Sequence, residues 1–135
     1  MDMKTIDNIT GVEFERFIRA LLEKIGVPVI QTPESGDYGA DIIAVFNNAK
    51  FVIQCKRYNG TVGIAAIQEV CGAVKYYHAT VGAVITNNYF SRQAERLAAA
   101  NGIILINRNR LKDLIAGADP KMYLYDTHFS AVSAF

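Results

Sequence analysis

The spacing of hydrophobic positions changes period twice along this chain, and those changes outline its elements. Between Gly11 and Ile25, the residues Phe14, Phe17, Ile18, Leu21, Leu22 and Ile25 recur three or four positions apart, which is one face of an amphipathic helix. Thr10 is placed as its N-cap with Glu13 as the capping-box partner, and Gly26 is placed as its stop. Val27 to Thr32 is a short strand candidate that runs into a turn-rich loop, Pro33-Glu34-Ser35-Gly36-Asp37-Tyr38-Gly39. Ala40 to Phe46 and Phe51 to Arg57 are β-rich runs joined at Asn47-Asn48-Ala49-Lys50, the pattern of a hairpin, and Asn59-Gly60 ends the second run.

The helical period then returns from Val62 to about His78. A strand over Val81 to Thr86 follows, then a helix over Ser91 to Asn101 capped by Ser91. Ile103 to Ile106 is a further strand, and Arg108 to Ile115 a last helix closed by Gly117. Strand–helix–strand–helix–strand implies parallel crossovers, which are right-handed. Together with the antiparallel hairpin this predicts an α/β fold with a mixed sheet and helices on both faces. There is no repeat or low-complexity tract. Residues 1–117 read as one domain, followed by a tail, 118–135, that carries aromatics without a clear period and no assignable role.

Composition narrows the function classes. A chain of 135 residues supports one domain with a core, and 51% hydrophobic with 20% charged residues is ordinary for a globular protein. No run is long and apolar enough to span a membrane, and MDMKTIDNIT lacks a signal-peptide core, so the expected location is the cytoplasm. Cys55 and Cys71 form no CxxC pair and sit among apolar residues, which marks them as small buried hydrophobes. His78 and His128 lack ligand spacing, which argues against zinc. The net charge is only +1, from 14 basic and 13 acidic residues. A protein holding nucleic acid by charge alone is usually more basic, so either the partner is something else or positive charge is local and a bound cation adds to it. The strand ending at Thr86 leads into Asn87-Asn88-Tyr89, and neither GxGxxG nor GxxxxGK[ST] occurs, which removes a nucleotide- or flavin-binding domain.

The hairpin carries the candidate chemistry. In the second strand Val52, Gln54 and Lys56 share one face, while Asp41, Ile43 and Val45 share a face of the first. A two- or four-residue connection sets Asp41 opposite Gln54 or Lys56, with Cβ atoms about 5 Å apart. A three-residue connection would break that parity. On the residues alone, an exposed Asp41–Lys56 ion pair beside a half-exposed glutamine is the simpler reading. The chemical reading uses all three side chains. Asp41 and Gln54 offer oxygen ligands to a hard cation such as Mg²⁺, and the Lys56 ammonium can orient a water or stabilise a phosphate.

The stretch Gly36-Asp37-Tyr38-Gly39-Ala40-Asp41-Ile42-Ile43 followed by Phe51-Val52-Ile53-Gln54-Cys55-Lys56-Arg57-Tyr58 resembles the Mrr-like branch of the PD-(D/E)xK nucleases, where glutamine replaces the second acid. Glu13-Phe14-Glu15, Val84-Ile85-Thr86 with Phe90-Ser91 and Ala94, and Ile104-Leu105-Ile106 with Leu111 extend the resemblance over about residues 11–115. It implies a three-layer α/β/α restriction-endonuclease-like core that hydrolyses DNA phosphodiesters with Mg²⁺, or Mn²⁺ in its place. Carried over by position, Asp41 is the metal-binding aspartate, Gln54 the second ligand and Lys56 the catalytic lysine. Glu15 corresponds to a helical glutamate that approaches the metal, although an i,i+4 pair with Arg19 explains it equally well. Arg57, Tyr58, Asn59 and Arg92 are candidate DNA contacts, with Arg96, Gln68 and Tyr76 as weaker ones, and Asp37 reads narrowly as turn chemistry. Relatives resembling Holliday-junction resolvases normally carry an acid at the Gln54 position, and a non-catalytic DNA-binding module would not need the complete set. The chain has no room for a separate DNA-reading domain. Target choice would then rest on loops, on a homodimer or on a separate specificity protein.

Overall fold

The computed structural model describes residues 1–31 and 39–123, so the expected turn-rich loop with Gly36 and Asp37, and most of the tail, lie outside the described residues. Two short features flank the first long helix. Asp2 caps a four-residue helix, α1 (Met3–Ile6), by accepting from the Thr5 amide, and the wholly buried Ile6 anchors it to the core. Helix α2 (Gly11–Lys24) starts with the expected reciprocal Thr10–Glu13 capping box and buries Phe14, Ile18, Leu21 and Leu22. Strand β1 (Val29–Gln31) is shorter than its apolar run, and its pairing shifts register between Val29 and Gln31.

Strands β2 (Ile42–Phe46) and β3 (Ala49–Lys56) form the hairpin. The connection has two residues rather than the four spanned in the sequence. Asn47 and Asn48 both take positive φ, 52° and 62°, as a tight type I′ turn requires, so Ala49 and Lys50 join the strand. Beyond the hairpin come α3 (Ile64–Tyr76), β4 (Val81–Thr86), α4 (Arg92–Asn101), β5 (Ile104–Ile106) and α5 (Arg108–Ile115). Val62, expected to begin a helix, instead makes an isolated bridge with Phe90, and α3 begins two residues later. Ser91 and Asn107 cap α4 and α5 with side-chain oxygens.

The sheet order is β1-β2-β3-β4-β5, with β1–β2 and β2–β3 antiparallel and β3–β4 and β4–β5 parallel. Alternation along the strands divides the core in two. Ile42, Phe51, Ile53, Ala83, Ile85, Ile104 and Ile106 pack against α1, α2 and α5. Ile43, Val52 and Val84 pack against Ala66, Ile67, Val70 and Ala73 of α3 and Ala94 and Ala98 of α4. The architecture is therefore the expected three layers, α/β/α around a mixed sheet. Tyr123, from the segment read as a tail, is buried in the first of these cores with the Arg110 guanidinium 4.8 Å from its ring centroid. Among the described residues no helix is long and apolar enough to cross a membrane.

Candidate active site

The two-residue turn sets the register of the hairpin. It runs Phe46–Ala49, Val45–Lys50, Ala44–Phe51, Ile43–Val52 and Ile42–Ile53, and there the ladder ends. The Asp41 amide donates at 2.9 Å to the carbonyl of Ile53, the residue already paired with Ile42, so Asp41 does not take the next step to Gln54. Its carboxylate accepts from the Cys55 amide through Oδ2 at 2.7 Å, which holds it at the end of β3. Neither pairing left open by the spacing forms, and Asp41 meets β3 through Ile53 and Cys55.

Gln54 follows Val52 on the face that packs against α3, and it is 5% exposed. Its Nε2 donates to Glu69 of α3 at 2.5 Å. Its Oε1 is buried without a hydrogen-bond partner, an arrangement that costs free energy unless something else satisfies the oxygen. Lys56, two residues on, is partly exposed and brings Nζ within 3.8 Å of the same Glu69 carboxylate. The Asp41–Lys56 ion pair that the residues alone suggested is thus replaced by Lys56–Glu69.

Charge at this end of the sheet is crowded. Burial raises the Asp41 carboxyl above the ordinary aspartate range, and the Glu69 charge adds to that, while the Cys55 amide and the Lys56 charge work in the other direction. Glu15 of α2 is also raised, first by burial and then by Asp41, although Arg19 pairs with it at 3.0 Å. Glu15 is the i,i+4 partner of Arg19, and it also feels the Asp41 charge. Burial also pushes the Cys55 thiol well above its usual range, in keeping with a small hydrophobe and not a nucleophile.

The other candidates are placed less centrally. Arg57 donates to the Asp7 carbonyl at 3.0 Å and to Asn59 Oδ1 at 2.8 Å, so it serves the protein's own framework. Tyr58 is half exposed, with its amide fixed to Asn87 Oδ1 at 2.7 Å. Arg92, Arg96, Gln68 and Tyr76 lie on exposed helix positions. The residue that the sequence did not single out is Glu69. Its signal lies in the stripe of α3: Ala66 and Ala73 are buried, and Glu69 occupies the step between them at three- and four-residue spacing. Gly39, with φ +78°, packs directly on this point, since a Cβ there would lie 2.3 Å from the Glu69 carbonyl oxygen. An apolar cavity between the sheet and the α2–α5 layer, lined by Leu22, Phe51, Ile85, Leu114 and Tyr123 among others, does not include Asp41, Gln54 or Lys56.

A family model described as restriction endonuclease, Mrr_cat, matches residues 6–115. The chain belongs to this family. The strand-end cluster lies inside the matched span, and the expected family and fold are both met. No curated protein matches the chain. Among solved structures it resembles the DNA modification-dependent restriction endonuclease AspBHI, with a TM-score of 0.63 and 19% identity over 98% of this chain and 38% of that one. The MspJI restriction endonuclease in complex with a 27-mer oligonucleotide is similar at a TM-score of 0.61 and 20% identity, covering 93% of this chain and 33% of that one. AF1548, a protein of unknown function, aligns at a TM-score of 0.60 and 20% identity, covering 69% and 55% respectively. The chain therefore spans from a third to just over half of the length of these structures, and they speak for the Mrr-type fold.

Proposed function

We propose that this chain is the catalytic core of a divalent-metal-dependent DNA endonuclease, in which Asp41 and Gln54 hold the cation and Lys56 acts at the scissile phosphate. The observation that carries this reading is the buried, unpartnered Oε1 of Gln54, on the same strand end whose Cys55 amide holds a carboxylate raised by burial. Among the described residues no group of three or more His, Cys, Asp or Glu gathers as a metal cluster. A mixed set of one carboxylate and one amide oxygen instead suits Mg²⁺ or Mn²⁺, which keep several waters and take few protein ligands. The residues present therefore fit a hard cation and not zinc.

When bound, the metal would supply Lewis acidity at the phosphoryl oxygen and a water of lowered pKa. Asp41 contributes the anionic ligand, already desolvated and fixed by the Cys55 amide. Lys56, at the last position of β3, orients the attacking water or donates to the charge that develops on the phosphate. Glu15 adds negative charge beside Asp41, directly or through a water. Tyr58 and Asn59 leave the catalytic strand exposed and, with Arg92, are the side chains available to a DNA backbone, whereas Arg57 acts through the framework. One site cuts one strand, so a double-strand break calls for two copies or a partner that also selects the target.

The test is cleavage of supercoiled plasmid by the purified chain with Mg²⁺, Mn²⁺ or EDTA, beside Lys56→Ala. Metal-dependent nicking that falls by about 10²-fold or more in the variant is expected from the loss of a charge-stabilising group. Cleavage that proceeds in EDTA, or equally well without Lys56, would refute the assignment.

A further inference from the structure

The contacts of Glu69 reach both candidate site residues on β3, and the proposed function does not use them. We propose that Glu69 is a positioning residue that fixes the Gln54 amide with Oε1, rather than Nε2, turned to the cation. This inference rests on the metal-dependent reading above and names the device that lets a glutamine serve where an acid would otherwise stand.

The argument begins with a chemical asymmetry. An amide side chain presents an acceptor at one end and a donor at the other, and only the oxygen can ligate a hard cation. A carboxylate has two equivalent oxygens and needs no such orientation. Gln54 would therefore lose half of its usefulness in the flipped state, unless something discriminates between its two ends. The Glu69 carboxylate does so, because it is an acceptor only, and the atom 2.5 Å from its Oε2 is the amide nitrogen. The oxygen is left buried and unpartnered on the other side. A neutral structural glutamine would not be expected to leave that atom orphaned in a closely packed layer.

The same carboxylate lies 3.8 Å from Lys56 Nζ, so a single anion touches the ligand amide and the candidate catalytic ammonium. Its position is set from behind. Gly39 has no Cβ, and the backbone leading to Asp41 therefore lies directly against the Glu69 carbonyl, tying the first candidate ligand to the helix that orients the second.

Two measurements on the full chain test this. In ¹H–¹⁵N spectra of the metal-free protein, the Gln54 side-chain amide is identified by its loss in Gln54→Glu. It is expected to be shifted and protected from exchange in the wild type. Glu69→Ala should release that amide, and Glu69→Gln, which donates as well as accepts and so no longer tells the two ends apart, should leave it less protected than in the wild type. A freely exchanging Gln54 amide in the wild type would overturn the proposal whatever the metal does.

Mn²⁺ binding followed by electron paramagnetic resonance forms the second arm. Glu69→Ala should weaken binding about tenfold, the lower end for loss of a group that orients a metal ligand. In a Gln54→Glu background, where no orientation is needed, Glu69→Ala should change binding by less than about twofold. An equal loss in both backgrounds would overturn the positioning role, since Glu69 would then act as a direct ligand or through the fold. If Glu69→Ala does not fold, Glu69→Gln carries the same comparison, with binding weakened where Gln54 is present and changed by less than about twofold in the Gln54→Glu background, and an equal loss in both overturns the role. Wild-type protein without Asp41-dependent Mn²⁺ binding would sink the metal reading itself, which the spectra alone would not.

Discussion

Asp7 and Asp41 each lie in a polar cluster at the end of the sheet, and their surroundings act on them in opposite directions. Asp7 takes two bonds from Arg108, at 2.7 and 3.0 Å, and a third from Asn87 Nδ2 at 3.0 Å. Arg108 hydrogen bonds hold its carboxyl below the ordinary aspartate range, with Asn87 assisting. The buried Asn87 is satisfied in turn, because its Oδ1 receives the Tyr58 amide and its carbonyl receives Arg108. Asp41 accepts one backbone amide and is raised by burial, with the Glu69 charge adding to that, and the Gln54 oxygen on the same strand end has no partner. A cluster whose donors and acceptors are all used stabilises a fold. One that is left short of positive charge and of donors is what the proposed cation would complete. On that proposal the first cluster is a fastening and the second is a site.

The largest predicted difference is in activity. Asp41→Ala should reduce plasmid cleavage by about 10³-fold or more, whereas Asp7→Ala should leave the rate per folded molecule within about threefold. Comparable losses in the two variants would erase the distinction. Next in size is Gly39→Ala, where a new methyl would meet the Glu69 carbonyl and the positive φ would be strained. A loss of about 2–4 kcal/mol in urea unfolding is expected, together with weakened metal binding. A stable, fully active Gly39→Ala protein would show that the approach of Asp41's loop to α3 does not matter.

Asp7→Ala should cost about 1–2 kcal/mol, kept modest because the Asp7–Arg108 pair is partly exposed. The pH dependence sharpens this. Since the folded Asp7 carboxyl is depressed, its contribution is present above the normal aspartate pKa of about 3.9 and is lost as pH falls through the lower folded value. Asp7→Asn should therefore flatten the acid limb of the stability curve. Asp41 has the opposite sign. Its folded carboxyl is raised, so its charge costs stability at every pH above the folded value, and the cost disappears below the unfolded one. In EDTA near neutral pH, Asp41→Asn should thus melt slightly higher than the wild type, the smallest effect of the four. A lower melting temperature would mean that the Cys55 amide bond outweighs the burial of charge.

Much of this arrangement was legible in the sequence, for reasons that differ between elements. The α2 stripe and its Thr10–Glu13 box are local, so spacing alone revealed them. The parity of the hairpin offered Gln54 or Lys56 as the partner of Asp41, and neither pair forms, because the ladder ends at Ile42 and the Asp41 amide turns to Ile53. Helix α1 escaped because four residues are too few to show a period, although Asp2 and Thr5 carried its cap. Glu69 was missed because its role depends on how α3 crosses the hairpin end, which no local pattern reports. The Asp7–Arg108 fastening joins residues 101 positions apart, and Arg57 reaches the same residue through the Asp7 carbonyl while also donating to Asn59, contacts that no local spacing reports.

The central claim is that the Asp41 cluster is completed by a cation and the Asp7 cluster is not. Calorimetric melting of the wild type, Asp41→Ala and Asp7→Ala with and without Mn²⁺ tests it most directly. At 100 times the dissociation constant, binding to the folded state alone should add about 2.7 kcal/mol to the wild type and to Asp7→Ala, and next to nothing to Asp41→Ala. An equal rise in Asp41→Ala would place the cation elsewhere and contradict the account.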